Sequence, residues 1–315
     1  MKNPIDQAIH RNNLYGTDIE PTYSGALSFM RRKYTHDLKG VDVAVTGIPF
    51  DSATSNRPGT RFGPRGIREA STQLSWEKLD DWDFDAFDRL AVVDYGDCNF
   101  DFGKPETIPD SIQEHTTNII SQSVGLLTLG GDHFVTYPIL KAHAEKYGPL
   151  SLIHFDAHSD SWDDGDGRVD HGTMFYYAAK EGIVNADRSV QIGLRTFNEE
   201  SWGYNCIKAP WVHEQGIAAV VDRIHEIVND NLCYLTFDID CLDPSYAPGT
   251  GTPVIGGLST HQAQQILRGL SGINLVGMDL VEVAPAYDVG EITSLAGASL
   301  ALEMLYIYAA NPNRK

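Results

Sequence analysis

The chain predicts an α/β fold of three layers, α/β/α, with a mostly parallel central sheet covered by helices on both faces. Two observations carry this. Seven short apolar runs, at 41–48, 90–95, 124–129, 150–155, 189–194, 232–237 and 273–281, read as buried strands. Between them, apolar residues recur at helical spacing over 64–74, 109–123, 137–146, 173–179, 217–229, 260–270 and 294–310. Strands apolar on both faces need cover on both, and parallel neighbours need a crossover that a helix supplies.

In order along the chain, residues 1–40 are polar and irregular and read as an N-terminal arm. Residues 41–315 read as a single domain, because no Pro/Gly/Ser-rich linker, composition shift or internal repeat divides them. The first helix opens with Gly63-Pro64 and carries Arg65 and Arg68, which can support the fold or the mouth of a site. The stretch 244–257 is rich in Gly and Pro but lies between a strand and a helix. It is therefore a loop on the functional edge of the sheet, not a linker. The Tyr and Trp positions read mostly as core.

Composition narrows the partners. Hydrophobic residues at 42% and charged residues at 21% are ordinary for a globular protein of 315 residues. The net charge of −19 argues against nucleic acid, whose phosphates need a basic surface, and favours a cationic small substrate. No run approaches the length of a bilayer span, and the N-terminus has no apolar core like that of a signal peptide, so no membrane partner and a cytoplasmic location are expected. Cys98, Cys206, Cys233 and Cys241 lack close pairing and read as free thiols, not as zinc ligands.

Three strand-like runs end in acidic or histidine-bearing segments: GGDH at 130–133, DAHSD at 156–160 and DID at 238–240. Buried charges must be paired or coordinate metal, so three such ends suggest a shared cation. Asp156, His158 and Asp160 fall at alternate positions, as do Asp238 and Asp240, and extended chain sends alternate side chains to one side. Two carboxylates forced together repel unless a cation lies between them. His133 reaches the same crevice, where strand C-termini converge. Two imidazoles and four carboxylates suit manganese, and two ions about 3.5 Å apart would use all six. No phosphate loop, dinucleotide fingerprint, HExxH helix or GxSxG elbow competes with this reading.

GGDHF, DAHSD and DIDCLDP, in that order, resemble the ureohydrolases, the family of arginase, agmatinase and guanidinobutyrase. The likeness runs from about Val45 nearly to the C-terminus and includes GIPFD at 47–51, GPRGIR at 63–68, DHGTMF at 170–175 and VEVAPAYD at 281–288. In wording it is nearest to bacterial agmatinases. The resemblance implies an arginase-like fold and two Mn²⁺ ions per subunit. One ion would be held by His133, Asp156, Asp160 and Asp238, the other by Asp156, His158, Asp238 and Asp240, with Asp156 and Asp238 bridging. A hydroxide between the ions would attack the guanidinium carbon. His171 would act as proton shuttle and Glu282 would pair with the guanidinium, so His171, Glu282 and Asp160 form the implied catalytic set. Homotrimers or homohexamers are common in the family.

The resemblance fixes the reaction better than the substrate's tail. The loop after Asp160 carries Asp163, Asp164 and Asp166, which would attract the terminal ammonium of agmatine and repel a carboxylate. Arg168 in the same loop acts the other way. Agmatine, yielding putrescine and urea, is the expected substrate. 4-Guanidinobutyrate is the alternative, and a related one-zinc deacetylase a more remote one, disfavoured by having both His133 and Asp240. His154, inside an apolar strand, reads as a core histidine or one that orients a ligand.

Overall fold

All seven predicted strands form and lie in one sheet. The computed structural model describes residues 7–16, 21–76, 78–311 and 313. In chain order the strands are β1 Lys33–Tyr34, β2 Val43–Ile48, β3 Val92–Asp97, β4 Gly125–Gly130, β5 Ser151–Phe155, β6 Val190–Leu194, β7 Asn205–Lys208, β8 Leu232–Asp238 and β9 Asn274–Val281. Their spatial order is β1-β3-β2-β4-β9-β8-β5-β6-β7, and every neighbouring pair is parallel. The two strands absent from the sequence reading, β1 and β7, are the edges. They are short and partly exposed, so they lack the continuous apolar run that marks a central strand.

The helices are α1 Gln7–His10, α2 Gly63–Ser71, α3 Ala86–Arg89, α4 Ile108–Ile120, α5 Thr136–Tyr147, α6 Met174–Lys180, α7 Ala209–Val228, α8 Thr260–Gly269 and α9 Ile292–Ala310. Proline in the first turn opens α2, α4 and α7, where its missing N–H costs nothing. Ser259 and Gln262 close a reciprocal capping box on α8. In α7, Gly216 (φ 80°, ψ 171°) breaks the helix, and the predicted segment at 217–229 corresponds to its second half. One correction concerns apolar length: by length and composition α9 is apolar enough to cross a bilayer. It is instead the core helix of one layer, 83% of its apolar window being buried.

Residue parity assigns the two faces of the sheet. Ile153 and Phe155 of β5, with Leu235 and Phe237 of β8, pack into a core with Ile224 of α7, Leu267 of α8 and Leu305 of α9. Leu152 and Tyr234 point the other way, toward Ile112 of α4, Leu140 of α5 and Phe175 of α6. His154 follows Leu152, its ring centroid 4.6 Å from that of Phe175. The site's side chains therefore project on the α5–α6 side of the sheet.

Arg31, Arg32 and Arg68 are buried within the domain. Phe29, Met30, Arg31 and Arg32 are buried, and β1 adds to the sheet beside β3, so this part of the N-terminal segment is built into the domain. Arg68 is buried and forks onto Asp94 (Nε to Oδ2 2.9 Å, Nη2 to Oδ1 3.0 Å) while reaching Asp97 at 2.6 Å; Arg65 is exposed. All four cysteines are free.

Candidate active site

The order β4-β9-β8-β5 places four strand C-termini side by side, and each delivers site residues. The same local turn ends three of them. Asp132 Oδ1 accepts the Phe134 N–H (3.1 Å), Asp156 Oδ1 accepts that of His158 (2.6 Å), and Asp238 Oδ1 accepts that of Asp240 (2.7 Å). An Asp side chain bonding backbone two residues on folds the chain sharply, so the next ligand returns to the same space. Gly131 is required by close approach: a Cβ there would lie 1.8 Å from the Phe50 carbonyl oxygen. Asp160 (φ 48°) and Glu282 (φ 64°) both sit in the left-handed region, a strain that collects at functional positions.

All six predicted ligands come together. His133 Nδ1 lies 3.0 Å from Asp156 Oδ2, 2.9 Å from Asp160 Oδ2 and 3.3 Å from Asp238 Oδ2. His158 Nδ1 lies 3.3 Å from Asp156 Oδ1 and 3.2 Å from Asp240 Oδ2. Asp156 thus offers one oxygen to each histidine, which makes it the shared member of two adjacent groups. Yet His133 Nδ1, fully buried, makes no geometrically acceptable hydrogen bond among the described residues.

The electrostatics are those of a site built for cations. Burial and the neighbouring Asp240 and Asp156 drive the Asp238 pKa well above its ordinary value. Burial and Asp156 lift Asp160 to about 7, and burial and Asp156 also raise Asp240. Burial disfavours imidazolium at His133, but Asp156, Asp160 and Asp238 outweigh it and raise its pKa well above normal. At His158 burial is likewise outweighed, chiefly by Asp240 and Asp156, and the pKa rises to about 12. Against burial, His154 and His133 hold Asp156 well below the usual carboxylate range. Protons thus stand where multivalent cations would neutralise the carboxylates better.

The residues fit a metal pair. Ligand atoms of His133, His154, Asp156 and Asp160 lie within 4.8 Å of one another, as do those of Asp156, His158 and Asp240. The unbonded His133 Nδ1 among three carboxylates, and a donor set of imidazole and carboxylate without thiolate, are what hard or borderline divalent ions require.

Glu282 and His171 stand beside this cluster. Glu282 Oε1 accepts the His133 backbone N–H (2.9 Å) and faces His171 Nδ1 at 3.2 Å; Oε2 is buried without a partner among the described residues. A buried carboxylate oxygen left open beside the cluster is an acceptor for a guanidinium N–H. Burial lowers the His171 pKa, but Glu282 more than reverses this and lifts it to about 9. The Ser55 backbone N–H, 2.9 Å from Nε2, favours the neutral ring, so the imidazole has an opposing influence on each nitrogen.

A cavity of about 310 Å³ opens onto the cluster, lined by His158, Asp160 and His171 at its base and by Asp164, Arg168 and Asp170 at its mouth. Here the substrate-tail expectation needs correction. Asp164 lines the cavity, but Asp163 and Asp166 do not. Asp163 Oδ1 accepts the Gly165 N–H, and Asp163 and Asp166 are both exposed to solvent. Asp170 takes their place.

Other participants had no sequence signal of their own. Arg195 spends its guanidinium on the carbonyls of Gly193, Asp240, Cys241 and Val254 and so holds the loop that carries Asp240. Thr252 donates to Asp240 Oδ2 at 3.0 Å. Thr236 did carry a faint signal, being two residues before Asp238 on one strand.

The arginase-family model matches residues 41–306. The chain belongs to the arginase family. It is 57% identical to an agmatinase of Chromobacterium violaceum, covering 95% of this chain and 94% of that protein, and 50% identical to one of Proteus mirabilis over 91% and 94%. Among solved structures, a hypothetical agmatinase from Burkholderia thailandensis superposes with a TM-score of 0.95 at 56% identity, covering 97% of this chain and 98% of the other. Arginase from Bacillus subtilis superposes at 0.72 with 26% identity over 84% and 98%. With this family and this site, the enzyme is an amidinohydrolase.

Proposed function

We propose that the chain hydrolyses agmatine to putrescine and urea. Two Mn²⁺ ions, held by His133, Asp156, Asp160, Asp238, His158 and Asp240, supply a water-derived nucleophile at neutral pH when bound. The observation that carries the reading is the open Oε2 of Glu282, buried beside the six-ligand cluster. Glu282 holds the guanidinium so that its carbon faces the cluster. Water adds its oxygen to that carbon and gives up both its protons, which end on the chain-bearing nitrogen as its bond to carbon breaks. His171, whose ring borders both Glu282 and the cavity, delivers a proton to the departing amine. Agmatine over other guanidino compounds is supported by the high identity to agmatinases and by the two carboxylates at the cavity mouth. A cytoplasmic location and a homotrimeric or homohexameric assembly belong to the same proposal and rest on sequence character and family resemblance.

The test is urea release from agmatine, 4-guanidinobutyrate and arginine, side by side, by protein reloaded with Mn²⁺. Agmatine is expected to be preferred by a wide margin. Urea from none of them overturns the reaction; a preference for 4-guanidinobutyrate overturns only the substrate.

A further inference from the structure

We infer that His154 is a positioning residue for Asp156, locked by Gln191 as a neutral Nε2–H donor and thereby barred from binding a metal itself. This rests on the metal-site reading above. His154 on β5 and Gln191 on β6 are direct cross-strand partners. The Gln191 amide nitrogen lies 2.6 Å from the Ser159 carbonyl oxygen and 3.1 Å from His154 Nδ1. The carbonyl decides which way the amide faces, since a flipped Gln191 would set oxygen against oxygen at 2.6 Å. With the NH₂ group fixed there, one N–H serves Ser159 and the other points at Nδ1. Nδ1 must then be an unprotonated acceptor, so the ring proton sits on Nε2.

That proton points at Asp156 Oδ2, 2.7 Å away, the same oxygen that lies 3.0 Å from His133 Nδ1. Asp156 is thereby fixed at both ends, Oδ1 by the His158 N–H and Oδ2 by His154. His154 has a ring nitrogen close enough to join His133, Asp156 and Asp160 as a ligand. To do so through Nε2 it would have to move its proton to Nδ1, against the Gln191 N–H. A neutral donor also orients the shared carboxylate without adding a positive charge that would compete with the cations.

The experiment titrates metal-free wild type, His154→Phe, His154→Gln and Gln191→Leu with Mn²⁺, reading free ion, and records the ¹⁵N-histidine spectrum of the wild type. His154→Phe is expected to bind Mn²⁺ about 10–100-fold more weakly, the range for loss of a ligand-orienting partner. His154→Gln, whose amide N–H falls near the lost Nε2–H, recovers most of that loss. In the wild-type spectrum the resonance pair missing from His154→Gln shows Nε2 protonated. Affinity in folded His154→Phe within about threefold of wild type overturns the inference, because orientation by a bonded neighbour is worth more than that. A protonated Nδ1 overturns it whether or not the Phe variant folds. Failure of the wild type to bind Mn²⁺ overturns instead the metal reading beneath it.

Discussion

Nε2 of His133 and Oγ1 of Thr236 lie 2.8 Å apart in the buried core of the site, and the threonine's own hydrogen is spent elsewhere. It points to Asp279 Oδ1 at 2.6 Å, while Asp279 Oδ2 accepts from Thr136 Oγ1 (2.9 Å) and Tyr234 Oη (2.8 Å). The Thr236 oxygen is left as an acceptor, so Nε2 of His133 keeps its proton, and Nδ1, set among Asp156, Asp160 and Asp238, is the nitrogen that would give up its proton to a metal. Burial raises the Asp279 pKa, and His133 and then the three hydroxyls oppose it.

Replacing Thr236 with Val keeps the shape and removes the acceptor, leaving a buried imidazole N–H unpaired. Mn²⁺ affinity at the His133 position should fall about 10-fold or more, with the His158 position less affected. Thr236→Ser should restore it. Two equally weakened positions, or no change at either, would show that the hydroxyl does not set the tautomer.

Strand parity made Asp156 and Asp238 legible, because Leu152, His154, Asp156 and Tyr234, Thr236, Asp238 each occupy one side of their strand, whereas His133, His158, Asp160 and Asp240 lie beyond a turn and were legible only by residue type and spacing. Parity could not reveal the groups that hold those ligands. Gln191 and Asp279 reach the site across neighbouring strands, and Arg195 acts on backbone carbonyls, which leave no residue-type pattern. The edge strands escaped for a related reason, being half exposed and too short for periodicity. Composition marks the loop after Asp160 as acidic but does not say which of its carboxylates face the cavity; Asp164 and Asp170 do, while Asp163 and Asp166 are exposed away from it.

Arg68 is expected to be a stability residue with no part in chemistry. Its fork onto Asp94 is buried, and breaking such a pair strands a charge. Arg68→Ala should lower the unfolding free energy by about 3–5 kcal/mol. Arg68→Lys should recover little, because an ammonium cannot reproduce the two-pronged bond. Denaturant unfolding of the metal-loaded protein checks this; a loss below about 1 kcal/mol, the scale of an exposed pair, would refute the buried-pair account.

Metal uptake should release protons and tighten as pH rises. Without metal, His158 is pushed up to about 12, His133 is raised and Asp160 sits at about 7, so protons occupy the site that cations need. The same shifts fix the sign for stability. Asp160 titrates near 3.8 when unfolded, so its raised folded value contributes stability that is lost as pH climbs from about 4 to about 7. His158 continues the loss from 6.5 upward. Metal replaces these protons and removes the dependence. The gap in melting temperature between Mn²⁺-loaded and chelator-treated protein should therefore widen with pH, and a gap constant between about pH 6 and 8 would contradict the assignment.

At the cavity mouth, Arg168 spans two carboxylates, Nη2 to Asp164 Oδ2 at 3.2 Å and Nε to Asp170 Oδ2 at 2.9 Å. Two negative charges facing one positive leave a surplus that attracts an ammonium, and the incoming tail must compete with Arg168 for it. Asp164→Asn should raise KM for agmatine with little change in kcat, because the contact is equally present before and during bond breaking. Arg168→Gln should lower that KM and raise the one for 4-guanidinobutyrate. Arg168 is 68% exposed, so each change is expected to be about 3–10-fold and to shrink with added salt. A fall in kcat with unchanged KM for Asp164→Asn would place the residue's effect at the reacting centre and remove it from recognition of the tail.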